Sequence, residues 1–253
     1  MKPRTIVITG GSGKCGRTLV SHFLSMGDYV ITTSRTSESA ENLMVEHALH
    51  SERITVIQSD LTKPGAANTL LARIDAQEMQ PDCLVNNARS VSYLGVGDDG
   101  LVSREDFANE FLLDVIAPYE LTMALAMQKD SQLRRVVNMG SIYGTVAANP
   151  GLYADPVRQS PLHYGVAKAA LVHLTKELAV RLSPRGIQVN CVAFGGVEGR
   201  VDEAFKQRYA RLCPMGRMLK DEEVAGPVDM LLSDRCSAVT GHTLAVDGGW
   251  SVW

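Results

Sequence analysis

"TIVITGGSGKCGRTLV", Thr5 to Val20, runs from a β-branched segment into a glycine-rich turn and then into a stretch of helical period. Glycines fall at positions 10, 11, 13 and 16. Such a turn lets the backbone approach a ligand closely, and the N–H groups of the helix that follows aim at an anion. Directly after a first strand, this arrangement predicts a cradle for the phosphates of a dinucleotide, with Gly10, Ser12, Gly13, Lys14, Cys15 and Gly16 as candidate contacts. Without that context the same glycines would describe only a structural turn.

The end of the second strand refines the expectation. There "TTSRTS" presents Ser34 and Arg35, with no acidic residue before Glu38. An acid at this point accepts from a ribose 2′-hydroxyl, whereas arginine pairs with a 2′-phosphate. With Lys14 as a second cation in the glycine turn, the pattern favours NADP(H) over NAD(H). The plain alternative is two ordinary surface cations.

Outward from the turn, short β-branched runs alternate with longer helical segments. The strands are expected at 5–9, 29–33, 54–58, 83–87, 135–139, 187–193 and 243–247, and the clearest helices at 16–26, 38–50, 104–127 and 162–182. Several strands are apolar without strict alternation, as in a sheet covered on both faces. The alternation predicts an α/β, Rossmann-like doubly wound fold: seven mostly parallel strands, helices on both faces, one domain. Two irregular segments, 95–100 and the proline-rich 147–161, do not divide it, because the rhythm resumes after each.

Composition excludes several classes. The 253 residues are 45% hydrophobic and 21% charged with a net charge of −3, so neither disorder nor a nucleic-acid partner is expected. No apolar window is long enough to cross a membrane, and the N-terminus lacks the pattern of a secretory signal. Five scattered cysteines without a CxxC spacing read as reduced packing thiols in a cytoplasmic protein, and no metal site is expected.

A second stretch raises a chemical question. "HYGVAKAALVHLTKEL", His163 to Leu178, places Tyr164 and Lys168 four residues apart on one face of an apolar helix. The buried side is expected to carry Val166, Ala170, Leu174 and Leu178. Taken alone, the pair also suits a snorkelling lysine beside a half-exposed tyrosine.

With these pieces in place the chain resembles the short-chain dehydrogenase/reductase family over nearly its full length. The landmarks come in family order: the turn Thr9–Gly16, "SDLT" with Asp60, "NNA" at Asn86–Ala88, "NMGSIYG" with Ser141, "YGVAK" with Tyr164 and Lys168, and "TGHTLAVDGGW". The resemblance implies hydride transfer between a nicotinamide and a ketone or secondary alcohol. Tyr164 exchanges the proton, Ser141 holds the substrate oxygen, and Lys168 supports the phenol and holds the nicotinamide ribose. Free tyrosine titrates near 10, so a neighbouring ammonium that favours the phenolate is chemically necessary. Asp60 and Leu61 are expected at the adenine, Asn87, Ala88 and Arg89 along the cofactor trough, and Val197 at the nicotinamide amide.

The departures from the family pattern are specific. Lys14 stands where compact members usually have glycine, and is expected to fold toward a phosphate. Arg89 replaces a usual glycine, and either sits over the cofactor, reaches an anionic substrate group, or is a solvated loop cation. Asp114 replaces a catalytic asparagine whose backbone carbonyl serves a proton relay; the aspartate offers the same carbonyl and adds a carboxylate near Lys168. Phe194-Gly195 replaces Pro-Gly and Gly199 a threonine, which predicts a mobile lid over 194–218. Tyr164 follows Ser141 by 23 positions, and the surplus falls in 147–161, an insertion beside the substrate that offers Tyr143, Tyr153, Arg158 and Gln159 to a polar ligand, or else a subunit contact.

Two substrate classes remain open, a polar or sugar-like keto compound and a 3-oxoacyl thioester. The alternative is a non-catalytic nucleotide-binding regulator on the same fold. A Rossmann-type methyltransferase has no use for the Tyr/Lys pair. The helix 162–182, apolar on more than one face, together with 104–127 predicts a homo-oligomer, dimer or tetramer, with the tail "GGWSVW" (Trp250, Trp253) in a second contact or beside a neighbour's active site.

Overall fold

The computed structural model describes residues 3–199 and 201–252, so the expectation for Trp253 lies outside the described residues. Seven parallel strands form one sheet: β1 (Thr5–Ile8), β2 (Tyr29–Ser34), β3 (Ile54–Gln58), β4 (Cys83–Asn86), β5 (Arg135–Ser141), β6 (Gln188–Phe194) and β7 (Thr243–Val246). Their spatial order is β3-β2-β1-β4-β5-β6-β7. The chain winds outward from β1 in one direction and then from β4 in the other. A crevice therefore opens beyond the carboxyl ends of these two strands.

Alternation along β1 sorts the core into two layers. Ile6 and Ile8 face one side, where they pack with Leu19, Phe23 and Leu24 of α1 (Lys14–Ser25), Leu43 of α2 (Ser37–Glu46) and Val228 of α9 (Ala225–Leu232). Val7 faces the other, with Leu70 of α3 (Ala66–Asp75), Leu121 and Leu125 of α5 (Ala117–Ala126), and Leu178 and Leu182 of α7 (Leu162–Leu182). Both faces are thus dry, which explains the unbroken apolar runs of the strands. The remaining helices are α4 (Arg104–Phe111), the one-turn α6 (Pro156–Gln159) and α8 (Glu203–Leu212).

Three details differ from expectation. The helix foreseen over 104–127 is interrupted by a π turn, Leu112–Ile116, centred on Asp114; such turns often mark functional positions. The buried row of α7 is not the one expected. Val166 is exposed, while His163, Ala167, Lys168, Leu171 and Thr175 are buried with Leu178. Polar side chains can occupy that row because partners meet them: Thr175 donates to the Leu171 carbonyl and accepts from Asn138 Nδ2, both at 2.9 Å. Finally, Trp250, expected in a second contact or beside a neighbour's active site, packs within its own chain. It is buried and stacks on Tyr209 of α8, ring centroids 4.4 Å apart. Gly248 and Gly249, at φ +66° and +87°, turn the chain back to bring it there.

Candidate active site

The glycine turn at the end of β1 is shaped by steric necessity at two positions. Gly10 has φ +69°, and a Cβ there would lie 2.8 Å from the Ala88 Cα. A Cβ on Gly16 would overlap the Gly10 carbonyl oxygen. Asn87 clamps the turn from β4: its Nδ2 donates to the carbonyls of Thr9 (2.8 Å) and Gly10 (3.2 Å). Thr9 Oγ1 in turn accepts the N–H groups of Asn87 and Ala88. Helix α1 then begins at Gly13 with no side-chain cap and no acidic residue in its first turn. A helix start left without a side-chain partner suits a diphosphate.

One cleft collects most of the residues expected at the cofactor. Gly10, Ser12 and Gly13 line it from the turn, Ser34 and Arg35 from β2, Asp60 and Leu61 from the segment after β3, and Ala88 and Arg89 from that after β4. Arg35 is exposed and has no ion pair among the described residues. Beside it, unforeseen, stand Thr36 and Ser39 at the start of α2, their hydroxyls 2.9 Å apart. An arginine flanked by two hydroxyls has the donors that a 2′-phosphate requires; the signal was the run "SRTSES". Asp60 Oδ1 accepts from the Thr62 hydroxyl (2.7 Å) and N–H (3.1 Å). Burial pushes this carboxyl up, but the two Thr62 bonds with Lys63 and Arg35 outweigh it and hold it below the usual range.

Other expected cofactor residues lie elsewhere. The Lys14 ammonium pairs with Asp221 Oδ1 at 3.0 Å and lies against Gly199. Its side chain thus reaches across toward the later segment and does not line the cleft that Arg35 lines. Cys15 packs against the first core layer, where burial raises its thiol pKa. Val197 bridges to Leu219 through its backbone.

The residues expected to be catalytic converge at the end of β5. Ser141 is buried there, and its Oγ accepts the Tyr143 N–H at 3.2 Å. The turn Ile142–Gly144 rests on α7 so closely that a Cβ on Gly144 would sit 2.7 Å from the Lys168 carbonyl. Tyr164 is half-buried, with the Tyr143 ring edge-on at 6.4 Å. The Arg89 guanidinium lies 4.5 Å from the Tyr164 ring centroid and Lys168 Nζ 5.6 Å from it. Arg89 is exposed, and its guanidinium lies over the Tyr164 ring at the edge of the cleft, where it can meet a cofactor or an anionic substrate group.

Lys168 is 5% exposed. Its Nζ donates to the Met139 carbonyl (2.9 Å) and pairs with Asp114 Oδ1 (3.0 Å). Burial alone would lower its pKa; Asp114 and Tyr164 outweigh that, and the net direction is upward, so the ammonium persists. Asp114 therefore meets Lys168 through its carboxylate. One turn earlier, Glu110 was not foreseen. It is 1% exposed, and neither carboxyl oxygen has a hydrogen-bond partner. Burial, then the nearby Asp114, push its pKa to about 7 against the pull of Arg89 and Lys168. His163, also buried, donates from Nε2 to the Tyr93 carbonyl at 2.6 Å and so ties α7 to the loop after β4.

The proline-rich segment roofs this site. Tyr153 and Tyr143 share a hydroxyl–hydroxyl hydrogen bond of 2.9 Å, and burial raises both phenols. Arg158 and Gln159 face their own loop: the first pairs with Asp155 at 3.6 Å, and the second accepts the Asp155 N–H at 3.0 Å. The segment leans on α8, where Arg208 donates to the Leu152 carbonyl (2.7 Å) and Phe205 meets the Tyr153 ring. Tyr209 of the same helix accepts the Gly196 N–H at 2.9 Å, tying α8 to the segment after β6. Among the described residues no group of three or more His, Cys, Asp or Glu is placed to hold a metal ion, and no helix is long and apolar enough to cross a membrane.

A sheet wound in this order, with its glycine turn opening beside a Tyr–Lys helix, is the architecture of a nucleotide-dependent oxidoreductase. A family model described as enoyl-(acyl carrier protein) reductase matches residues 15–251. The chain belongs to the short-chain dehydrogenase/reductase family, a class of NAD(P)-dependent oxidoreductases. It is 31% identical to a 3-oxoacyl-(acyl-carrier-protein) reductase of Salmonella typhimurium, over 96% of this chain and 95% of that protein. It is 30% identical to an uncharacterized short-chain type dehydrogenase/reductase of Sinorhizobium fredii, matching 98% of this chain but only 43% of that longer protein. Among solved structures it resembles a short-chain dehydrogenase of Leptospira borgpetersenii with bound NAD+ (TM-score 0.86, 29% identity, 99% of this chain and 94% of that one). It is also similar to a blue fluorescent protein from a metagenomic library in complex with NADPH (TM-score 0.84, 26% identity, 98% of both chains).

Proposed function

We propose that the protein is an NADP(H)-dependent reductase of a ketone, or dehydrogenase of the matching secondary alcohol, working through Ser141, Tyr164 and Lys168. The observation that carries this reading is the buried ammonium of Lys168, fixed by Met139 and Asp114 one turn beyond Tyr164. Burying a lysine is costly unless it is paired, and here the paired ammonium is held beside a phenol whose ionisation it favours. Nicotinamide, when bound, supplies or accepts the hydride. Tyr164 gives its proton to the substrate oxygen as charge develops there, and the Ser141 hydroxyl holds that oxygen. Lys168 keeps positive charge beside the phenol while its proton is away. Arg35, Thr36 and Ser39 would hold the 2′-phosphate.

The wall near Tyr164 offers a guanidinium and two tyrosine hydroxyls. It suits a polar keto compound better than a long acyl chain. Exposed apolar side chains on α7 (Leu162, Val166, Val180) and on the π turn and α5 (Ile116, Tyr119) support a homo-oligomer built on these helices. The free cysteines suit a cytoplasmic protein. NADPH absorbance, followed with polar ketones and 3-oxoacyl thioesters in parallel and repeated with NADH, tests the reading. Tyr164→Phe is expected to lower kcat by about 10²–10⁴. An unchanged rate in that variant refutes the phenol's role, and turnover of the thioesters alone replaces the polar substrate.

A further inference from the structure

We propose that Glu110 keeps a proton beside the Asp114–Lys168 pair, and that this proton is the store from which Lys168, and through it Tyr164, is reprotonated after each reduction. The inference rests on the Tyr164–Lys168 reading and extends it one turn deeper into the protein.

Three buried oxygens need an explanation: Glu110 Oε1, Glu110 Oε2 and Asp114 Oδ2 all lack a donor. Two unpartnered carboxylates one turn apart in a dry interior would repel each other and forfeit their hydration. A proton on Glu110 removes both costs, because a neutral carboxyl neither repels Asp114 nor needs the hydration of a charge. No ion pair involves Glu110 among the described residues, so no cation relieves it directly. The charged and titratable groups around it come from three elements. Asp106 and Asp114 stand on its own helix, Arg89 on the segment after β4, and Lys168 on α7. His163, also on α7, packs by its ring against Phe107 and spends Nε2 on Tyr93. Asp114 and Asp106 favour retention of the proton, while Arg89 and Lys168 oppose it. Lys168, however, already spends its ammonium on Asp114 Oδ1 and the Met139 carbonyl. The balance leaves Glu110 titrating at about 7, where a store can be both filled and emptied.

The transfers balance. In reduction the Tyr164 O–H breaks and its proton joins the substrate oxygen, whose carbon has gained the hydride. An N–H of Lys168 breaks to restore the phenol. The Glu110 O–H then breaks to restore the ammonium by way of the Asp114 carboxylate, and solvent returns the proton to Glu110. Glu110 touches neither substrate nor cofactor in this scheme; it is a positioning residue acting through Asp114 and Lys168.

The test joins a pH profile to a spectroscopic titration. With saturating NADPH and the ketone turned over best, wild-type kcat is expected to fall above about pH 7. In Glu110→Gln, which cannot ionise, that limb disappears and kcat at about pH 6 drops roughly tenfold, with KM unchanged. Infrared spectra of the apo protein are expected to show a protonated-carboxyl band at about pH 6 that is lost by about pH 8.5 and is absent from Glu110→Gln. In Asp114→Asn the band is expected to vanish at lower pH. Superimposable profiles of wild type and Glu110→Gln, or no such band in the wild type, overturn the proposal. If Glu110→Gln does not fold, the wild-type band and its movement in Asp114→Asn decide. Full turnover by Tyr164→Phe would instead sink the phenol reading and leave the carboxyl band intact, so the two failures are distinguishable.

Discussion

Replacing Glu110 by glutamine is expected to stabilise the fold above pH 7 relative to its effect below pH 5. The wild-type carboxyl rises from 4.5 in the open chain to about 7 in the fold. The sign follows from proton counting. Below 4.5 both states hold the proton, and burial of the neutral group carries no charge penalty. Between 4.5 and 7 only the folded state retains it, so stability falls with rising pH; above 7 the fold carries the buried charge and the loss is complete. That interval corresponds to about 3 kcal/mol. For a domain of this size it is roughly 6–12 °C in Tm. The neutral amide contributes a cost that does not vary with pH, so it cancels when the two variants are compared at both ends. Urea denaturation followed by tryptophan fluorescence, at about pH 5 and pH 8.5 and at fixed protein concentration, measures the difference. If the gap between wild type and Glu110→Gln is the same at both pH values, the carboxyl is not the buried neutral group described here.

Arg35→Ala is expected to raise KM for NADPH by roughly 10- to 100-fold while leaving kcat and the NADH parameters in place, since one charge-assisted contact to the extra phosphate is lost; equal losses with both cofactors would remove the 2′-phosphate from this corner. Gly16→Ala places a methyl group into the Gly10 carbonyl, and isothermal titration is expected to find nucleotide affinity lost. Retained affinity would mean that the turn is not the phosphate cradle. Trp250→Ala empties a stacked, buried ring from beneath α8 and is expected to cost about 3–5 kcal/mol in chemical denaturation. A loss under about 1 kcal/mol would place the ring at the surface instead.

The strands were legible because each is a short apolar run closed by turn residues, and neighbours in the sheet impose little beyond that pattern. β3 was read to the residue, and β5 and β6 a residue or two short at the carboxyl end, where Ser141 and Phe194 complete them. Tyr164, Lys168 and Ser141, singled out through the family resemblance, are brought together by the fold at the end of β5. What the linear pattern hid were choices made at long range. α7 is apolar nearly all round, so periodicity could not select its buried row; Asp114, Met139 and Asn138 did, by meeting Lys168 and Thr175. Lys14 was expected at a phosphate, yet its partner Asp221 stands two hundred positions away. Glu110 left a signal, an acid four residues before another acid. Its meaning depends on burial, which only the packing of α4 against α7 reveals.

The mutual support of the proline-rich segment and α8 has a practical consequence for redesign. Leu152 and Tyr153 prop the helix whose Tyr209 secures the strand exit at Gly196. Shortening the segment would thus remove the support of α8 at the same stroke. A shortened variant is therefore expected to need a compensating side chain behind Phe205 to keep α8 in place.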